Sequence, residues 1–125
     1  MNVLILGESG MLGNAVTRYF RTQTQHDVST ASRESTSDYK LDASQSSNEQ
    51  LISVISHTKP DYIINCIGII NKYCNDGHSD RTVTAVKVNV IFPFILADAS
   101  SPKISETFPF PSRSEITRSC APRFL

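Results

Sequence analysis

The 125-residue chain lacks any excess of charge: twelve basic residues balance twelve acidic ones, for a formal net charge of zero. No stretch forms a basic stripe, so the electrostatic footprint of a nucleic-acid binder is missing. Long apolar runs are missing too. The longest, Tyr62 to Ile70, is interrupted by Asn65 and falls well short of the roughly 18 residues that span a bilayer. The apolar start at residues 2–6 has no basic lead and is too short for a targeting core, so no signal peptide is expected. Cysteine is scarce. Cys66, Cys74 and Cys120 are odd in number and show no C-x-x-C spacing, which argues against a disulfide framework and a zinc site. His26, His57 and His78 have no acidic or cysteine cluster at ligand spacing, so none is assigned to a metal. What remains is one domain, long enough to bury a core, in a reduced cytoplasmic setting.

The informative stretch is the first twenty residues. Asn2-Val3-Leu4-Ile5-Leu6 has the length and apolar character of a buried strand. It runs into Gly7-Glu8-Ser9-Gly10-Met11-Leu12-Gly13, and Asn14 to Phe20 then repeats its apolar residues at helical spacing. A strand, a glycine-rich turn and a helix together form the arrangement that binds a dinucleotide pyrophosphate. The helix start offers unpaired N–H groups and a positive dipole end. Gly7 makes the sharp exit from the strand, Gly10 admits the phosphate, and Gly13 lets the helix approach the sheet. The spacing is Gly-x-x-Gly-x-x-Gly rather than the commoner Gly-x-Gly-x-x-Gly. The plainer alternative is a tight turn without a ligand.

Val28 to Ser32 reads as a second strand, and its end faces the position where such folds meet the adenosine ribose. Ser32 and Arg33 stand there. A hydroxyl beside a guanidinium suits a phosphate, which favours NADP(H) and leaves NAD(H) open, because Glu34 follows directly. A solvated loop arginine is the alternative. Tyr39-Lys40-Leu41 forms a very short third strand that delivers Asp42. Ser44 to Asn48 can cap a helix whose apolar stripe is Leu51, Ile52, Val54 and Ile55, and Lys59-Pro60 ends it. Asp61 to Asn65 enters a fourth strand. Alternating strands and helices imply parallel pairing with right-handed crossovers, and ligands then sit at the carboxyl ends of the strands. Gly7, Ser32, Asp42 and Asn65 all fall at such ends.

The loop from Cys66 to Ser79 includes Lys72, Tyr73 and Cys74, which are either solvated or close to a substrate. Ser79 or Asp80 can cap a helix with an expected inner face of Val83, Val86, Val90, Phe94 and Ala97. Pro93 should kink it or mark a bend. Beyond Ser100 the periodicity fails: the last 26 residues hold four of the six prolines. They read as an irregular Ser/Pro-rich tail over residues 100–125, poorly ordered or loosely packed. Four strands and three helices would leave one sheet edge uncovered.

Residues 1–99 resemble the extended short-chain dehydrogenase/reductases, and more narrowly the dTDP-4-dehydrorhamnose reductases and related nucleotide-sugar reductases. The residues that carry this are Gly7 to Gly13, Leu41-Asp42, Lys59-Pro60-Asp61-Tyr62-Ile63-Ile64-Asn65-Cys66-Ile67-Gly68, and Val88-Asn89-Val90 with Pro93 and Leu96-Ala97. The resemblance implies an incomplete Rossmann-like parallel sheet with helices on both faces. It implies a cofactor site with Gly7, Ser9, Gly10, Met11, Leu12 and Gly13 at the pyrophosphate, and Ser32 and Arg33 at the 2′ position. Asp42 would lie by the adenine, and Asn65, Cys66, Ile67 and Gly68 along the ribose side. Asn89 would be the structural asparagine of its helix.

The family continues with a Tyr-x-x-x-Lys helix, whose tyrosine protonates the carbonyl oxygen. Here Gln23, Ala43, Cys66 and Gly77 stand four residues past the four tyrosines, so no catalytic residue is named. The expectation is a cofactor-binding portion of an NADPH-dependent nucleotide-sugar reductase, truncated or frameshifted near Ser100 and inactive by itself. A non-catalytic NAD(P)-binding regulatory module and a fragment of a nucleotide-sugar epimerase are the alternatives. The partners implied are a dinucleotide and, in the full-length family, a nucleotide sugar.

Overall fold

The computed structural model describes residues 1–45, 47–70, 79–101 and 123–124. Strand β1 (Asn2–Leu6) is buried from Val3 onward. A strand covered on both faces reads as a continuous apolar run rather than an alternating one, and this one does. Leu4 and Leu6 point into a core shared with Ala31, Leu41, Leu51, Val54, Ile63, Phe92 and Leu96. Val3 and Ile5 point the other way, because side chains alternate along a strand. Helix α1 (Met11–Gln23) lies against β1 and β2 (Asp27–Ser32) through its buried Gly13 and Thr17.

The remaining strands are β3 (Tyr39–Lys40), β4 (Tyr62–Asn65) and β5 (Arg123–Phe124), in the spatial order β3-β2-β1-β4-β5. Every pairing is parallel. This is the doubly wound Rossmann arrangement, and the strand order reverses between β1 and β4. The register places Leu6 opposite both Ala31 and Asn65, so the carboxyl ends of the three central strands are level.

Helix α2 (Asn48–Thr58) is bounded as its residues dictate. Ser47 Oγ accepts the Gln50 N–H at 3.3 Å, and Lys59 takes a left-handed φ of 43° while its N–H bonds back to the Ile55 carbonyl. The N-terminal cap satisfies an otherwise orphaned donor, and Pro60 cannot continue the helix. Leu51 and Val54 are its buried residues.

The next helix corrects one expectation. It runs as α3 (Ser79–Val86), a wide π-helical turn (Lys87–Ile91) and α4 (Phe92–Ser100). Its buried residues are Ala85, Val88, Phe92, Leu96 and Ser100, whereas the expected inner face is turned out, with Val83 53%, Val86 45%, Val90 51% and Phe94 75% exposed. Both stripes are apolar at spacings of three and four, so periodicity alone cannot choose between them. The helix continues through Pro93. The Phe92 N–H bonds to the Lys87 carbonyl, five residues back, and Pro93 falls in the first turn of α4, where its missing donor costs little. By length and composition this 22-residue helix is apolar enough to cross a membrane, with a mean hydropathy of 1.5. In this structure α4 packs on α2.

At the β4 edge, Arg123 and Phe124 pair with Tyr62 and Ile63, so a two-residue parallel strand lies along half of the edge expected to be uncovered, and the sheet remains open. The rest of the expected irregular tail, residues 102–122 and 125, and the loop of residues 71–78 with Lys72, Tyr73 and Cys74 lie outside the described residues.

Candidate functional site

The turn after β1 is built from backbone. Gly7 has a φ of 88°, in the region that side chains disfavour, and a Cβ there would meet Ile67 Cγ1 at 2.9 Å. Its N–H bonds to the Ala31 carbonyl at 2.8 Å, and its carbonyl accepts the Gly10 N–H at 3.0 Å. A Cβ at Gly13 would collide with the Gly7 carbonyl oxygen, so glycine at 13 lets α1 close over the turn. Gly10 differs from both. Its φ of −80° suits any residue, and the nearest atom to an added Cβ is the Gly7 oxygen at 3.4 Å. The fold therefore does not need glycine at 10. The α1 N-terminus also carries no side-chain cap and no acidic residue in its first turn. Its first N–H groups and the positive end of its dipole are left for an anion.

The turn opens into a cleft of about 200 Å³ at the carboxyl ends of the strands. Of the residues named from sequence, Gly7, Ser9, Gly10, Ser32, Arg33, Asp42, Cys66, Ile67 and Gly68 line it. Met11 and Leu12 stand beside it in the first turn of α1, 93% and 61% exposed. Gly13 is buried beneath the turn. Asn65 sits behind the wall, where its Oδ1 accepts the Ile67 N–H at 3.0 Å and shapes the turn out of β4. This is the crevice at which doubly wound folds hold ligands.

Asp42 follows β3 and is half-buried. Burial by itself would raise its carboxyl. The Ser44 hydroxyl at 2.7 Å, the Ser44 N–H at 2.9 Å and the charge of Arg33 outweigh that and hold it below the usual carboxylate range. Arg33 and Asp42 thus share one end of the cleft. Burial pushes the Cys66 thiol up, which disfavours its thiolate, and the residue forms part of the cleft wall. Asn89, in the π-helical turn, donates to the Ile69 carbonyl at 2.7 Å and accepts the Ile69 N–H at 2.8 Å. It fastens the segment after β4 to the long helix.

Sequence reasoning did not name Leu41, Ala43, Ser44 or Ile69 as site residues, which line the cleft beside those it named, and it missed two further groups. Thr84 and Val88 line the cleft from the long helix, and the stripe through Ala85, Val88 and Phe92 was the signal for them. The second group is a polar chain beneath the β2–β3 loop. Glu8 Oε2 accepts from Ser37 Oγ at 3.0 Å, and Ser37 Oγ lies 2.6 Å from Ser32 Oγ. Arg21 approaches Glu8 and Asp38 at 3.6 Å each, and Asp38 accepts from the Thr30 N–H at 2.8 Å. Nothing in the local sequence pairs Glu8 with Ser37.

Parallel topology, reversal of strand order at β1 and an uncapped helix mouth behind a glycine turn together define a Rossmann-type α/β domain. A family profile for the NAD dependent epimerase/dehydratase family matches residues 3–120, and the chain belongs to that family. No curated protein matches it. Among solved structures, the chain is similar to a hypothetical dTDP-4-dehydrorhamnose reductase from Sulfolobus tokodaii, with 26% identity, a TM-score of 0.62, and coverage of 80% of this chain and 35% of that one. It is similar also to dTDP-4-dehydrorhamnose reductase from Bacillus anthracis in complex with NADP, with 22% identity, a TM-score of 0.61, and coverage of 78% and 31%. A third is UDP-glucose 4-epimerase from Thermotoga maritima with UDP-glucose, with 18% identity, a TM-score of 0.64, and coverage of 80% and 34%. The last two likenesses speak for the fold alone. The chain spans about a third of the length of each of the three.

Proposed function

We propose that this chain is the cofactor-binding portion of an NADPH-dependent nucleotide-sugar reductase of the dTDP-4-dehydrorhamnose reductase kind. The observation that carries the reading is Gly10. Neither its backbone angles nor its neighbours require glycine, yet it stands at the uncapped mouth of α1, where a phosphate needs bare backbone. In this reading Gly7, Ser9 and Gly10, with the helix start at Met11 and Leu12, hold the pyrophosphate. Gly13 supports them from below. Arg33 holds the 2′-phosphate, Asp42 borders the adenine, and Asn65 to Gly68 shape the ribose side.

When bound, the cofactor supplies a hydride to the keto carbon of the sugar. The chain's own part is to bind and orient the cofactor. It carries no Tyr-x-x-x-Lys, so in this reading it binds cofactor without turning over substrate. A cytoplasmic setting goes with this reading. The family description favours one competing reading, a nucleotide-sugar epimerase fragment. NADPH titration by fluorescence, followed by an NADPH-oxidation assay with a 4-keto nucleotide sugar, tests the proposal. Saturable binding without oxidation is expected. A preference for NAD(H) over NADP(H) favours the epimerase reading, and a flat titration overturns both.

A further inference from the structure

The polar chain beneath the β2–β3 loop has a direction. As a carboxylate, Glu8 only accepts, so the single proton of the Ser37 hydroxyl is committed to Glu8 Oε2 at 3.0 Å. Ser37 and Ser32 are 2.6 Å apart through their Oγ atoms. With the Ser37 proton used, that bond forms only if Ser32 is the donor. Ser32 Oγ in turn accepts the Glu34 N–H at 3.1 Å. Neither hydroxyl therefore has a proton free for the cleft that Ser32 lines. Ser32 is only 2% exposed, and one lone pair on its oxygen is left unengaged by these bonds.

We propose that Glu8 is a positioning residue for the 2′ end of the cofactor. Acting through Ser37, it turns the Ser32 proton away from the cleft, so that Ser32 presents an acceptor. An acceptor suits a 2′-hydroxyl, which can donate. It opposes a 2′-phosphate, which brings only acceptors. Arg33 and Glu8 thus pull in opposite directions at one subsite: the guanidinium favours NADP(H), and the polarised serine pair narrows the margin over NAD(H). The inference rests on reading the cleft as a dinucleotide site.

The two oxygens of Glu8 are differently engaged, and that makes the test specific. Arg21 lies 3.6 Å from Oε1, while Ser37 bonds to Oε2. In Glu8→Gln the amide oxygen stays on Arg21, which needs an acceptor, and the amide N–H₂ falls on Ser37. The chain then reverses: Ser37 donates to Ser32, and the Ser32 proton is released to the cleft. Ser37→Ala releases the same proton by removing its acceptor, and it serves if Glu8→Gln does not fold.

Dissociation constants for NADPH and NADH are measured by fluorescence titration of the 125-residue chain and its variants. The ratio of the NADH constant to the NADPH constant is expected to rise about tenfold in Glu8→Gln, the worth of one hydrogen bond to a charged group. It should rise in Ser37→Ala as well. Adding Ser32→Ala to Glu8→Gln should abolish the gain, which a merely structural role for Glu8 would not produce. An unchanged ratio, with both constants moving together, overturns the proposal and leaves the dinucleotide site standing. A wild-type chain that binds neither dinucleotide removes the site and the proposal together.

Discussion

Gly10 and Gly13 stand three residues apart, yet a methyl group has opposite consequences at the two positions. At Gly13 it meets backbone, the Gly7 carbonyl, which cannot move without opening the turn. Gly13→Ala is expected to cost about 1–3 kcal/mol, as overpacking does, measured by urea denaturation. At Gly10 the methyl meets almost nothing. Gly10→Ala should stay within about 1 kcal/mol of wild type, the cost of a poorer N-cap. Its expected effect is on binding: the methyl fills the phosphate's approach and weakens NADPH by about tenfold or more, the loss of a charged hydrogen bond. Asp42 gives a pH signature. Its carboxyl titrates below the ordinary 3.8 in the folded chain, so the stability it adds is full above that pH and is lost as pH falls through the lowered value. Asp42→Asn should therefore flatten the acid limb of the stability–pH curve below pH 3.8, which thermal melts across the acid range would register.

The elements divide by how much of their environment is local. Helix α2 was legible at both ends, because Ser47, Lys59 and Pro60 act on their own backbone. The parallel pairing of β1, β2 and β4 was legible from strand–helix alternation, whereas their spatial order came from the structure. The strand-end rule picked out Gly7, Ser32, Asp42 and Asn65, of which the structure brings the first three to the lining of one cleft and sets Asn65 behind it. The face of α3–α4 was not legible. Two apolar stripes run along one helix, and only its packing on α2 and the sheet selects between them. Stability measurements separate the two faces. Phe92→Ala is expected to cost about 3–5 kcal/mol as a buried aromatic truncation, while Phe94→Ala, 75% exposed, should fall within about 0.5 kcal/mol. Equal losses would mean that both faces are covered. The Glu8–Ser37–Ser32 chain was illegible for a related reason: its members lie up to 29 residues apart and meet only after β2 pairs with β1.

At the scale of the whole molecule, the sheet and its ligand crevice share a cause. The chain leaves β1 toward β2 and β3, then crosses back to β4, and the divergence of those two connections opens the cleft above Leu6 and Asn65. Among the described residues, two, Arg123 and Phe124, pair along the β4 edge. Removing residues 122–125 leaves that edge free to template association, so size-exclusion chromatography should show the truncated chain eluting as larger species than the 125-residue chain. The measurement that bears most directly on function is NADPH binding by wild type and Gly10→Ala side by side, with melting temperatures recorded for both. Saturable binding by wild type, lost or weakened at least about tenfold in a variant that melts near the wild-type temperature, is the expected result. Equal affinity for the two proteins, or no binding by a folded wild-type chain, would contradict the assignment of the helix mouth to the cofactor's phosphates.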